Sequence, residues 1–289
     1  MKLMRKIAVV LEMIKFEHSV FALPFALISM LLAAHGIPSL RVIVLIILAC
    51  VFARSAAMAF NRIVDLDYDR QNPRTRTRAL PTSQLSLRFT WGFVALMALL
   101  FIFCASQLNL LTFALSPVAL IIILGYSYTK RVTIYSHFIL GLALSLAPIG
   151  AWVAVRGAFA VSPLVLGLGV LLWTAGFDIL YACQDYEIDV KLSILSIPQR
   201  LGIPAALRVA RLAHAGAFCS FLMVYFLSTL SWFFLFGVLV TGGLLLYEHN
   251  LVSPRDLSRI NTAFFTVNGL ISVFLFACGA LDFLVRFAS

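Results

Sequence analysis

Ala59-Phe60-Asn61-Arg62-Ile63-Val64-Asp65-Leu66-Asp67-Tyr68-Asp69 ends a long apolar segment in three carboxylates. Asn61, Asp65 and Asp69 are four apart, which puts them on one stripe of a helix, while Asp67 points elsewhere. Facing acidic and amide groups repel unless a positive charge lies between them. Oxygen donors at this spacing suit a hard cation such as Mg²⁺, and a cation with open positions can hold phosphate. The bland alternative for this stretch taken alone is a solvated helix end. The chain is otherwise built of apolar segments, and these carboxylates arrive at the end of one, which points to a membrane protein.

The whole chain agrees with that class. Its 289 residues are 62% hydrophobic and its mean hydropathy is +1.03, against about 45–50% apolar in soluble domains. We expect an all-α polytopic membrane protein, one domain over 1–289, since no polar segment is long enough to form a second. The basic N-terminus is followed by an apolar run long enough to span, so a cleavable leader is not expected. The five cysteines are scattered without metal-ligand spacing and read as small apolar fillers. A net charge of +10 reports topology and an anionic partner in such a chain, not nucleic acid.

Nine spans are expected, near 16–35, 41–63, 89–107, 110–128, 135–155, 161–182, 205–228, 230–247 and 260–284, each able to cross ~30 Å of hydrocarbon. Breaks fall at His35-Gly36-Ile37-Pro38, Gln107-Leu108-Asn109, Arg156-Gly157 and Ser253-Pro254. With the N-terminus cytoplasmic, eighteen Lys and Arg lie inside and three (Arg41, Arg156, Arg286) outside, with Arg54 left within the second span. That asymmetry sets the orientation, and the odd span count puts the C-terminus outside. An integral plasma (inner) membrane location follows.

Seven of the twelve acidic residues occupy two places. The second is Asp178-Ile179-Leu180-Tyr181-Ala182-Cys183-Gln184-Asp185-Tyr186-Glu187-Ile188-Asp189. There Asp178, Tyr181, Asp185 and Asp189 share one helical face and Glu187 does not, as Asp67 does not in the first. Both clusters end even-numbered spans and so face the cytoplasm. Asp178 lies deeper, and a carboxylate within an apolar segment is functional by default. Arg70, Arg74, Arg76 and Arg78 follow the first cluster, Lys191 and Arg200 the second, and Tyr126 and Lys130 end the fourth span on the same side. Two carboxylate sets with a cationic rim are what a metal-bridged diphosphate requires.

These motifs resemble the UbiA superfamily of intramembrane prenyltransferases over nearly the whole length. Asn61-x-x-x-Asp65-x-x-x-Asp69 is similar to its first aspartate-rich motif, and Arg74-Thr75-x-x-Arg78-x-Leu80-Pro81 to the segment after it. Tyr126-x-x-x-Lys130 is similar to its Tyr/Lys motif, and Asp185-x-x-x-Asp189 with Asp178 and Tyr181 to its second aspartate-rich motif. The 4-hydroxybenzoate polyprenyltransferase branch is the most similar. Cys183 to Asp189, followed by Ser196-Ile197-Pro198, resembles a subgroup linked to menaquinone synthesis through futalosine. Two departures stand out. Many members carry Asp after the motif Asn where this chain has Arg62, and an N-terminal Arg…Lys pair before Pro is replaced by Lys15-Phe16-Glu17-His18.

The resemblance implies a Mg²⁺-dependent enzyme that moves a polyprenyl chain from its diphosphate to an aromatic acid, in ubiquinone or menaquinone biosynthesis. Asn61, Asp65 and Asp69 would hold one metal, Asp185 and Asp189 the other. Lys130, Arg74 and Arg78 would bind diphosphate, Tyr126 and Tyr181 would face the allylic cation, and Asp178 is the candidate base. Lys15, His18 and Arg54 are candidates for the acceptor carboxylate. Acceptors of the 4-hydroxybenzoate type and 1,4-dihydroxy-6-naphthoate both remain open. A secondary transporter is the competing class, since intramembrane carboxylates mark those too. Clustering at one membrane face rather than the midplane speaks against it.

Overall fold

The computed structural model describes residues 2–15 and 21–288, without the side chains of 2–6 and 286–288. The described residues form a helical bundle. In chain order the helices are α1 (Lys2–Met13), α2 (Leu23–Ala34), α3 (Leu40–Val64), α4 (Leu66–Gln71), α5 (Leu87–Ser106), α6 (Leu110–Thr129) and α7 (Ser136–Arg156). There follow α8 (Val161–Ala182), α9 (Tyr186–Leu192), α10 (Ile197–Leu201), α11 (Ile203–Leu227), α12 (Trp232–Leu251) and α13 (Asn268–Ala288). A π-helical turn, Thr262–Val267, leads into α13.

Among the described residues, eight helical segments are long and apolar enough to cross a membrane, one fewer than the nine spans expected. The difference lies at the first. Residues 16–20 of its expected run, 16–35, lie outside the described residues, and within the rest the apolar helix covers Leu23–Ala34, about 18 Å at 1.5 Å per residue. Pro24 sits in the first turn, where its missing N–H and fixed φ set a helix start. The expected breaks fall where the helices stop, and Gly157 ends α7 in the left-handed conformation, φ 67°.

The core is built where helices approach closely. α8 packs against α7 and α11, α3 against α5, and α2 against α7. A Cβ at Gly141 of α7 would collide with the backbone of Leu171 on α8, so glycine permits that approach. Trp173, Phe25, Phe221 and Phe234 are fully buried between helices. Leu99, Leu110, Ile121 and Leu246 point outward, as the lipid-facing positions of a membrane bundle do. All five cysteines are free thiols.

Candidate active site

Both acidic motifs share a backbone device. α3 ends at Asp65 (φ −89°, ψ 2°), and α9 begins after Asp185 (φ −97°, ψ 5°), both in the sparsely used bridge region. Asp65 N still donates to Asn61 O at 2.9 Å and Asp69 N to Asp65 O at 2.8 Å, so the stripe survives the break. Asp67 and Glu187 are exposed, Asp67 paired only with Arg70 on the surface.

The first wall carries Asn61, whose Nδ2 donates to Asp65 Oδ2 at 3.0 Å. Lys130, just past α6, pairs with that same oxygen at 2.7 Å. Arg78 Nη1 donates to both oxygens of Asp69, at 2.8 and 3.0 Å. Opposite, Arg74 grips Asp185 through Nε at 3.0 Å and through Nη2, and gives Nη1 to the Tyr181 hydroxyl at 3.1 Å. Asn72 adds a third bond to Asp185. Burial works against the Arg74 charge, but the hydrogen bond and charge of Asp185 offset it and raise the guanidinium above its ordinary pKa. Asp189 accepts from the Ser196 hydroxyl at 3.1 Å. The loop between α4 and α5 thus reaches across to α8, and the two walls close on one polar chamber of about 260 Å³.

Asn61, Asp65, Asp69, Arg74, Arg78, Tyr126, Lys130, Asp178, Tyr181, Asp185 and Asp189 all line that chamber. A second chamber, about 360 Å³ and walled mainly by apolar residues, lies against it, and Tyr126, Leu140 and Asp178 belong to both. Arg54 lines the apolar chamber. Lys15 lies in the turn two residues after α1, with φ 47°, and lines neither chamber. His18 lies outside the described residues. Tyr181 packs at a tilt of 33° against Phe264 of the π-helical turn, centroids 4.1 Å apart, and Arg74 lies over the Tyr181 ring at 5.3 Å.

Sequence reasoning missed His137, Asn72 and Ser196. His137 Nδ1 lies 2.7 Å from Asp178 Oδ2. Its one sequence signal was a histidine opening an apolar helix. The departure at Arg62 is accounted for structurally: the side chain is buried and Nε donates to Met13 O at 3.3 Å, tying α1 to the end of α3.

Among the described residues, no group of three or more His, Cys, Asp or Glu converges as a ligand cluster. The carboxylates instead stand in pairs with Lys130, Arg78 and Arg74. The donor set nevertheless fits a hard divalent cation. Asp65 Oδ1 is buried without a hydrogen-bond partner, a state that costs about 1–3 kcal/mol unless something positive meets it, and every neighbouring donor on these motifs is oxygen.

Comparison with known proteins matches this architecture. The chain is 31% identical over 258 residues to the 4-hydroxybenzoate octaprenyltransferase of Nitrosospira multiformis, covering 89% of this chain and 88% of that one. It is 28% identical over 264 residues to the enzyme of the same name from Francisella tularensis, covering 90% and 89%. Among solved structures, a UbiA homolog from Aeropyrum pernix superposes with TM-score 0.84 at 32% identity over 92% of this chain and 98% of that one. A homolog from Archaeoglobus fulgidus, bound to DMAPP and Mg²⁺, shares the fold at TM-score 0.73 and 21% identity, covering 96% and 99%. With the model of the UbiA prenyltransferase family matching residues 22–270, the chain belongs to that family and is a membrane-embedded enzyme of it.

Proposed function

We propose that this enzyme transfers a polyprenyl chain from its diphosphate to an aromatic acid of the 4-hydroxybenzoate type, with Mg²⁺, in quinone biosynthesis. The observation that carries the reading is the junction of the two chambers. Two carboxylate walls and four cations, Arg62, Arg74, Arg78 and Lys130, surround the polar one, and Tyr126, Leu140 and Asp178 line both it and the apolar one. A substrate with a diphosphate head and a hydrocarbon tail matches both halves. Val118 and Phe159, each more than half exposed, help wall the apolar chamber, so a tail longer than the chamber can leave sideways into lipid.

Asn61, Asp65 and Asp69 would hold one Mg²⁺ and Asp185 and Asp189 another. Bound there, the metal neutralises diphosphate oxygens as a Lewis acid and eases cleavage of the allylic C–O bond. Lys130, Arg74 and Arg78 release their carboxylate partners to take up the same charge. Tyr126 and Tyr181 turn ring faces toward the allylic cation, while the apolar wall keeps water from it. The aromatic acceptor attacks and Asp178 receives the ring proton. Arg54, on the apolar side, is the described candidate for the acceptor carboxylate, with Lys15 and His18 from the N-terminal segment. The acceptor 1,4-dihydroxy-6-naphthoate is the alternative, resting on the segment from Cys183 to Pro198. The site sits on the cytoplasmic side of the plasma membrane.

Purified protein with Mg²⁺, a polyprenyl diphosphate and a panel of aromatic acids tests the reading. Prenylated product is expected from at least one acid, abolished by EDTA and restored by Mg²⁺. No product from any acceptor sinks it, and substrate flux in proteoliposomes without transfer would turn the reading to a transporter.

A further inference from the structure

Asp178 is the one motif carboxylate set at the seam of the two chambers. Its partner is an imidazole, not one of the guanidinium or ammonium groups that hold Asp69, Asp185 and Asp65. His137, the second residue of α7, is buried, with Nδ1 2.7 Å from Asp178 Oδ2. The backbone N–H of Ile197, at the start of α10, donates to His137 Nε2 at 3.4 Å. An N–H aimed at Nε2 needs a lone pair there, so the neutral ring carries its hydrogen on Nδ1 and donates it to Asp178. Turning the ring over would lose both bonds at once. Asp178 Oδ1, by contrast, has no hydrogen-bond partner among the described residues.

We propose that His137 is a positioning residue: held by Ile197 N–H, it fixes Asp178 with Oδ2 occupied and Oδ1 free to take the proton of the acceptor ring. The inference rests on the transfer reading above. The balance is complete without a further reagent. The allylic C–O bond breaks with its electron pair going to diphosphate. A ring π pair forms the new C–C bond. The ring C–H pair then returns to the ring as the proton moves to Asp178 Oδ1, and from there to water of the polar chamber. His137 keeps its Nδ1 hydrogen throughout.

The purified enzyme is assayed with an acceptor deuterated at the ring carbon that is alkylated. In His137→Leu and Asp178→Asn, kcat should fall ~10²-fold, with KM for the prenyl diphosphate nearly unchanged. The deuterium isotope effect on kcat should rise above the wild-type value, because proton removal has become the slow step. Release of diphosphate with formation of prenyl alcohol should continue, since ionisation does not use this pair. His137→Gln, whose amide can donate to Asp178 and accept from Ile197, should recover most of the activity. A slowed His137→Leu with an unraised isotope effect, or one as active as wild type, overturns the assignment. Should His137→Leu not survive purification, Asp178→Asn and His137→Gln decide. A raised isotope effect in the first with activity kept in the second upholds it, and the reverse of either overturns it. Failure of wild type itself to prenylate any acceptor is a different result, and strikes the transfer reading instead.

Discussion

Asp65 joins the parts of the first wall. It ends α3, shares Oδ2 between Asn61 and Lys130, and buries Oδ1 without a hydrogen-bond partner. Asp185 has the corresponding place at the second break. If both wait for metal, Asp65→Ala and Asp185→Ala should each lower kcat/KM at least ~10²-fold, about 2.7 kcal/mol of transition-state stabilisation. Asp67→Ala, whose side chain is 88% exposed, should leave kcat/KM unchanged. Steady-state assays on variants matched for membrane insertion check the contrast, and an unaffected Asp65→Ala would remove the metal assignment. That Asp65 and Asp67 differ was legible in the sequence, because a four-residue step keeps one helical face and a two-residue step leaves it. The pairing of His137 with Asp178 was not legible. The two are 41 positions apart, and no local pattern says which deep carboxylate a histidine on another helix will meet.

At the scale of helices, the sequence read the class and most of the boundaries, because Gly and Pro stop helices by known mechanisms. It did not reveal that both motif helices break at their central aspartate, since the spacing is unchanged and, at Asp65, the four-residue hydrogen bonds continue across the break. Nor did it reveal the π-helical turn before α13. That turn is held by a buried network: Trp173 Nε1 donates to Asn268 Oδ1 at 2.6 Å, and Asn268 Nδ2 donates to Glu248 Oε1 at 2.8 Å and to Ala263 O at 3.0 Å. Trp173, Glu248 and Asn268 are all wholly buried. Asn268→Leu keeps a similar volume and strands three polar groups, so it should destabilise by about 1–3 kcal/mol, read as a lowered melting temperature in detergent. The turn also presents Phe264 to Tyr181 and to the apolar chamber. The same variant should therefore send more of the allylic diphosphate to prenyl alcohol and less to product. Unchanged stability and unchanged partition together would show the network to be idle.

The whole molecule adds a constraint that helix lengths alone leave out. Among the described residues, eight helical segments are long enough to cross the bilayer, and eight crossings would leave both termini on one side. The bond from Arg62 Nε to Met13 O supports a ninth traversal. It puts the end of α1 beside the acidic end of α3, while Leu40 lies at the other end of that helix, about 33 Å from Arg62 at 1.5 Å per residue. The chain between Met13 and Leu40 must therefore traverse the bundle, although the apolar helix within it has only 12 residues. We propose nine traversals, which would put the termini on opposite sides, with the bias of eighteen basic residues against three placing the acidic end in the cytoplasm. Alkaline phosphatase fused after Ser289 should be active and a fluorescent protein fused there dark. A fluorescent protein inserted in the loop at Pro254 should be bright. A bright C-terminal fusion would mean that the first apolar segment does not cross, and the odd count read from the sequence would fall with it.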